Sequence, residues 1–312
     1  MEEHNEKKAI KYGIWGTVFL SIIGTLGGRI PFVGILIYLA AVLFFICAGK
    51  RGFIYTLPFI IAAYVFVSFG SSFSGAISDI LGPGLSAAVM GELMRLHRRQ
   101  GERLGKGILT AALCNLASMI SIQLAEGVSI LEELRKTVKS ALTAAVDAEE
   151  ITIYGAQMMS RAYETVLQLI PAIMIITVVL GTVFIYFVGC AVMAKKGEQI
   201  QGYVPFRFFS FSRSIIFGCL LMYLFGFLAG LTGFISTDVL LFNISVMVWF
   251  LFTIQGTATL VYLCNAARFP KSVLSVLLGL LFISIIGTLP LFFIGVLDVI
   301  VDIRKRIDAK RG

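Results

Sequence analysis

Apolar residues in this chain run for long stretches without charge, and short polar clusters separate the stretches. A helix needs about 20 apolar residues to cross about 30 Å of hydrocarbon, and runs near that length recur along the whole sequence. They are Tyr12–Gly28, Ile30–Gly49, Gly52–Gly70, roughly Ser74–Leu93 (interrupted by Asp79 and Glu92), Gly107–Ala125, Thr165–Ala194, Ile215–Thr237, Val239–Ala267 and Ser272–Leu297. None is rich in period-two alternation, and an open strand cannot satisfy its backbone in lipid. The pattern therefore predicts an all-α fold, a polytopic transmembrane bundle of eight or nine spans. Gly27, Gly28 and Pro31 suit a tight turn joining the first two spans as antiparallel helices rather than a cleaved leader.

The segment from about Glu126 to Glu164 has a different pattern. Leu131, Leu134, Val138, Leu142 and Ala145 recur at helical spacing, as do Ile151, Tyr154, Met158, Ala162 and Thr165. This predicts an extracytoplasmic hairpin of two amphipathic helices, either a cap on the bundle or a lid or docking surface. Three regions follow: a membrane bundle of about five spans over 1–125, the hairpin over 126–164, and a second bundle of about four spans with a basic tail over 165–312.

Composition strengthens the membrane reading. The chain is 58% apolar and 14% charged, against about 45–50% and about 25% in soluble domains. Its net charge of +8 is spread in clusters between the runs, which marks loops beside a lipid bilayer and no nucleic-acid partner. With the N-terminus in the cytoplasm, sixteen Lys and Arg fall inside and ten outside, and half of the outer ones are Arg304, Lys305, Arg306, Lys310 and Arg311. That tail conflicts with the positive-inside rule if the ninth run crosses fully. Pro290 offers an alternative, a re-entrant hairpin of Ser272–Leu289 and Leu291–Arg304 that returns the tail inside. The two topologies stay open at this point.

The raw material for catalysis is thin. The five cysteines lie one per apolar segment with no CxxC, and the only histidines are His4 and His97. No P-loop, nucleotide fingerprint, HExxH or nucleophile elbow occurs. Neither an enzyme, nor a metal site, nor a cofactor is expected. Candidate binding residues are instead the polar groups within the spans, which prefer a partner helix or a polar cavity to lipid. Asp79 precedes Gly82-Pro83-Gly84, which suggests a broken helix facing a cavity, or a merely kinked one. Asn115, Gln123, Asn243 and Gln255 are the neutral candidates for solute contact or interhelical glue. Asp298 and Asp302, one helical turn apart, are followed by Arg304; they form either a polar site or an interfacial helix end that signals topology.

Several segments together carry a family resemblance: RIPFVG, GKRG, LQLIPAIMI, VPFRFFSFSRS, FTIQGTATLVYL and IGVLDVIVDIRKR. The chain resembles the YybS-like family of bacterial predicted membrane proteins, most sharply at Gln255-Gly256 and at Gly295, Asp298, Asp302 and Arg304. The resemblance implies a multi-pass protein of the bacterial cytoplasmic membrane. The N-terminal half of that family is similar to the S components of energy-coupling-factor vitamin transporters, which implies an unknown small solute and a separate coupling and ATPase module, or another membrane protein, as partner. The first span departs from the family's Thr-Glu-Gly-Ala start with Lys11-Tyr12-Gly13-Ile14, and Gly16, Ser21 and Gly24 are the substitutes for the coupler-facing small residues. The expected function is small-solute binding or transport without an ATPase of its own; the alternative is a membrane scaffold that recruits partners.

Overall fold

The structure, a computed structural model, describes residues 2–27, 36–70, 73–126, 130–147, 152–198, 200–233, 236–283 and 285–309. Regular structure among them is helical throughout, with no strand. The helices are α1 (Glu2–Gly27), α2 (Leu36–Arg51), α3 (Phe53–Gly70), α4 (Phe73–Ala76), α5 (Gly82–Arg95), α6 (Gln100–Glu126), α7 (Ile130–Asp147), α8 (Ile153–Gln168), α9 (Ile170–Lys195), α10 (Ser214–Gly230), α11 (Thr237–Ala266), α12 (Lys271–Ile283), α13 (Ile285–Val301) and α14 (Ile303–Ala309). They form two compact units, Met1–Glu164 with Thr177–Tyr203, and Thr165–Ile176 with Val204–Gly312. Packing thus groups residues 177–203 with the N-terminal helices, past the boundary at 165 drawn from the pattern.

Among the described residues, five helices are long and apolar enough to cross a membrane: α1, α3, α6, α9 and α11. A sixth span results if α12 and α13, bent by 106°, count as one. The expected eight or nine exceeds this because a charge-free run is not all helix. Ile215–Thr237 supplies α10 with only 17 residues, and Ser74–Leu93 is divided by a π-helical turn at Ile77–Leu81. The turn expected at Gly28 to Pro31 lies outside the described residues.

The N-terminal unit packs around α2. Phe44, Phe45, Ile46 and Cys47 are almost fully buried there, and glycines bring the neighbouring helices close. A Cβ on Gly91 of α5 would lie 2.4 Å from Phe45 O, so the two backbones touch. Gly16 and Gly24 of α1 serve the same core: a Cβ on either would meet Phe44, or Val67 and Ile80, at 2.8 Å. The GKRG turn is closed by Glu92, whose carboxylate accepts the Phe53 N–H at 2.8 Å and so caps α3, while Gly52 takes φ 101°.

In the C-terminal unit α11 and α13 are in backbone contact. A Cβ on Gly256 would lie 1.7 Å from Leu291 O, and one on Gly295 1.9 Å from Phe252 O; only glycine permits such an approach. The pairs across this seam run in one direction. Trp249 Nε1 donates to Thr288 Oγ1 at 3.2 Å, and six residues further along α11 Gln255 donates to Asp298 at 2.6 Å. The two helices are therefore parallel, with α12 carrying the chain back between them. The C-terminal end of α13 consequently lies at the same end of the unit as the C-terminal end of α11. Pro290 is not the hinge: it sits inside α13, where its missing N–H removes one ladder bond without ending the helix.

The hairpin region contains two helices, α7 and α8, tied by an ion pair of Arg135 with Glu164 at 3.2 Å. Most of the large apolar side chains of α8 lie outside the core. Tyr154 is 67% exposed and Met158 46%, and in α8 only Leu167 is buried.

Candidate site at the end of helices 11 and 13

The glycine contact at Gly256 and Gly295 sets up the chemistry one turn later. Three residues along each helix, about 4.5 Å of rise, stand Thr259 and Asp298. Asp298 is 3% exposed, and one of its oxygens collects nearly every donor in reach. Oδ2 accepts from Gln255 Nε2 at 2.6 Å, Thr259 Oγ1 at 2.9 Å, Arg304 Nη2 at 2.6 Å and Arg304 Nε at 3.1 Å. Such charge-assisted bonds are the strong class. Asp298 Oδ1, by contrast, is buried without a hydrogen-bond partner.

The loop before α10 completes the site. Arg304 Nη1 donates to Phe209 O at 2.7 Å and Arg207 O at 3.2 Å, and the Gln255 carboxamide oxygen accepts the Phe211 N–H at 2.9 Å. The VPFRFFSFSRS segment is thereby fastened to α11 and α14 through its backbone. A cavity of about 170 Å³ opens beside this network, lined by Phe208, Ser210, Tyr262, Asp298, Asp302, Arg304 and Lys305. The Phe208 and Tyr262 rings meet edge to face at 6.0 Å between centroids.

Asp302 has a different fate from Asp298, although the spacing suggested one helical face. It takes φ 53°, which ends α13 and turns its side chain outward, where it pairs with Arg213 and Lys305 at 3.1 and 3.2 Å. The hydrogen bond from Lys305, with Arg213 nearby, holds its carboxyl below the usual carboxylate range.

The other expected residues do not gather at one cavity. Asp79 is exposed on the π-helical turn, accepting from Ser78 Oγ at 3.2 Å. The backbone of Ala76, Leu81 and Gly82 stays right-handed helical around it, so the chain passes from the π-helical turn into Gly82-Pro83-Gly84 without leaving helical conformation. Asn115 donates to Ala111 O of its own helix at 2.9 Å, and Gln123 is exposed on α6. Asn243 acts on the backbone. Its Nδ2 donates to Gln168 O at 2.7 Å and its Oδ1 accepts the Ala172 N–H at 3.1 Å. Those two groups would bond each other in a continuous helix; the carboxamide is inserted between them where Pro171 interrupts the ladder.

Sequence reasoning counted Arg103 only as a topology charge. It is 1% exposed, with Nη2 on Gln201 O at 2.8 Å and Nη1 on the Tyr186 hydroxyl at 3.3 Å. Nothing in its surroundings as a sequence, the arginine-rich RLHRRQGERLGK, distinguishes it from the exposed arginines beside it. A further cavity of about 220 Å³ lies in this unit, with Arg95, His97 and Glu198 among its lining residues. Its flanking charges are already paired, Glu198 with Lys50 and Arg95 with Glu92.

The DUF2232 family model, described as a predicted membrane protein, matches residues 18–299. The chain belongs to the DUF2232 family. No curated protein and no solved structure matches it. The DUF2232 match takes in Asn243, Gln255, Gly256, Gly295 and Asp298 and stops before Asp302 and Arg304. Among the described residues, no group of three or more His, Cys, Asp or Glu is placed to hold a metal ion.

Proposed function

We propose that this multi-pass membrane protein is a solute-binding component, with its site in the C-terminal unit at Asp298. One observation carries the reading: a buried carboxylate, compensated by Arg304 yet with one oxygen unpartnered, belongs to the lining of an open cavity in the C-terminal unit. Charged side chains within a bilayer-embedded bundle are costly and mark binding sites or ion paths. An ion pair kept only for stability is often replaceable by apolar residues of similar volume.

On this reading the N-terminus is cytoplasmic and the protein sits in a bacterial cytoplasmic membrane. The parallel seam of α11 and α13 supports placing the tail on that side too, because the end that holds Asp298 and Arg304 also holds Arg207, Arg213, Lys305 and Tyr262. The five tail cations then join the inner side, as the positive-inside rule favours. The count of eight or nine spans requires α2, α10 and the kinked α4–α5 pair to cross as well. Energy comes from another polypeptide. The YybS-like and S-component resemblance points to a separate coupler, but Gly16 and Gly24 face this chain's own core. A coupler therefore docks on the outer face of α1, where Trp15 and Phe19 are exposed.

Native mass spectrometry of the full chain, extracted in mild detergent, tests the reading. A small molecule carried by the wild type and lost on Asp298→Asn is expected, with Phe208→Leu weakening retention while leaving the ion pair intact. A chain that carries no small molecule, alone or after incubation with a panel of solutes, overturns it. The second reading, a scaffold, is favoured by the exposed apolar residues of α8. Deleting residues 130–168 and finding a co-purifying membrane protein lost would support that role instead.

A further inference from the structure

Two arginine–phenylalanine pairs stand at the end of the C-terminal unit that carries Asp298: Arg207-Phe208 before α10 and Arg268-Phe269 after α11. Both phenylalanines are 47% exposed. Arg207 is only partly buried, and its guanidinium lies over the Phe208 ring, 4.8 Å from the centroid. It has no hydrogen-bond acceptor among the described residues; Nε is shut off from solvent, whereas the two Nη groups are not. The Arg207 carbonyl accepts from Arg304 Nη1 at 3.2 Å, so the backbone that carries this guanidinium is fixed before any ligand arrives. Arg268 and Arg306 are exposed and, among the described residues, paired with no carboxylate.

The charge balance here is positive. Among the described side chains this end holds Arg207, Arg213, Arg268, Arg304, Lys305 and Arg306 against Asp298 and Asp302. Both carboxylates are already taken, Asp298 by Arg304 and Asp302 by Arg213 and Lys305, so an anion meets unopposed positive charge. Helix α11 sets the depth. Its 30 residues rise about 45 Å, and even a tilt of about 40° leaves about 34 Å to fit about 30 Å of hydrocarbon. One end must stand among the headgroups, and the C-terminal end, beside the cations, is the one that anionic headgroups favour. A free anion would satisfy the guanidinium but leave Phe208 and Phe269 in water. A phospholipid meets both needs, with its phosphate on the planar guanidinium and its glycerol and upper acyl carbons against the rings.

We propose that this end of the C-terminal unit binds the headgroup of an anionic phospholipid. The phosphate accepts from the Nη groups of Arg207, Phe208 and Phe269 rest against the top of the acyl chains, and Arg268 and Arg306 add to the attraction. The lipid is separate from the solute proposed above: it meets the outer guanidiniums, and Arg304 stays paired with Asp298. The cytoplasmic leaflet, where the topology proposed above puts this end, is the one that carries the anionic surface charge.

Native mass spectrometry of the full chain, delipidated in mild detergent, provides the test. The probes are phosphatidylglycerol and phosphatidylcholine with the same acyl chains, and inorganic phosphate is the soluble competitor. Phosphatidylglycerol is expected to bind about fivefold more tightly or better, the scale of one cation's attraction to an anionic headgroup. Arg207→Gln should weaken its binding about fivefold and leave phosphatidylcholine unchanged. Arg98→Gln, which removes an exposed arginine of the N-terminal unit, should change neither. If Arg207→Gln does not fold, Arg268→Gln decides, with a loss in the same direction. Equal binding of the two lipids, or unaltered phosphatidylglycerol binding in the variant that decides, overturns the proposal. So does a loss from Arg98→Gln as large as that from Arg207→Gln, which would make the attraction a property of total charge. Displacement of phosphatidylglycerol by inorganic phosphate would also overturn it and assign the arginines to a soluble anion.

Discussion

Each unit uses a buried guanidinium to fasten a loop by its carbonyls. In the N-terminal unit Arg103 reaches Gln201 O at 2.8 Å, and in the C-terminal unit Arg304 reaches Phe209 O at 2.7 Å. The remaining contacts separate them. Arg103 has the neutral Tyr186 hydroxyl and, among the described residues, no carboxylate, whereas Arg304 is paired with Asp298 at 2.6 Å. A cation held by neutral oxygens is a clamp. A cation that neutralises a buried carboxylate is half of an ion pair, and each partner depends on the other. The same side chain in similar burial thus clamps a loop alone in one unit and as half of an ion pair in the other.

The sharpest way to break this contrast is at glycine. The C-terminal network depends on the seam at Gly256, so Gly256→Val, whose Cβ would lie 1.7 Å from Leu291 O, should abolish recovery of folded protein on gel filtration. Gly105, two residues from Arg103, has nothing within 4 Å of its Cβ position. Gly105→Ala should be neutral or stabilise by up to about 1 kcal/mol, through helix propensity. Folded protein from Gly256→Val would show that the seam is not required.

Next in size is removal of the cations themselves. Arg304→Met leaves Asp298 buried without compensation and should cost about 3–5 kcal/mol. Arg103→Met strands only neutral acceptors, for about 1–3 kcal/mol. Denaturant titration of the two variants in the same micelle compares them. Equal losses would mean that the Asp298 pair adds nothing beyond the loop clamp. The double change Asp298→Asn with Arg304→Met should recover part of the single loss, since no buried charge then remains.

A smaller effect is expected at Asn243. In Asn243→Leu the freed Gln168 carbonyl and Ala172 amide can bond each other as the helix straightens, so the cost should be about 1 kcal/mol. Hydrogen exchange at Ala172 should change more than exchange at Ala63 in the other core. Unaltered exchange at Ala172 would remove the inserted-amide account.

The smallest effect is the pH response of Asp302. Its folded pKa is depressed by Lys305 and Arg213, so its stabilisation is present above the ordinary carboxylate value of about 4 and is lost as pH falls through the lower folded value. Both partners are exposed, so screening keeps the effect small. Asp302→Asn should flatten this part of the acid stability curve slightly, most visibly at low salt. An unchanged curve would mean that the pair contributes nothing.

Much of the architecture was legible because lipid imposes a strict rule on composition: apolar runs must be helical, and α1, α3, α6, α9 and α11 are long enough to span. The number of crossings was less legible, because the charge-free run after Ile215 continues past the point where α10 stops. The polar candidates show the same limit. Asp298, Gln255 and Arg304 were each visible as chemistry in an apolar setting. Nothing local to them distinguishes Gln255, fully buried on Asp298, from Gln123, exposed on α6.

By itself the sequence determined that this chain is a helical membrane protein, where its apolar runs lie and which residue types are available for a site, because those follow from transfer free energy residue by residue. Only the tertiary structure decided that Asp298 is buried while Asp302, one turn on, pairs at the surface. It also decided that α11 and α13 run in parallel, and that Arg103 and Arg304 point inward among many arginines that do not. These outcomes depend on contacts between residues about 40 to 100 positions apart, and those of the C-terminal unit are brought together by two glycines at Gly256 and Gly295 and by a positive φ at Asp302. Local pattern carries the preference of each residue for lipid or water; which partner meets it is fixed by the packing of the whole unit.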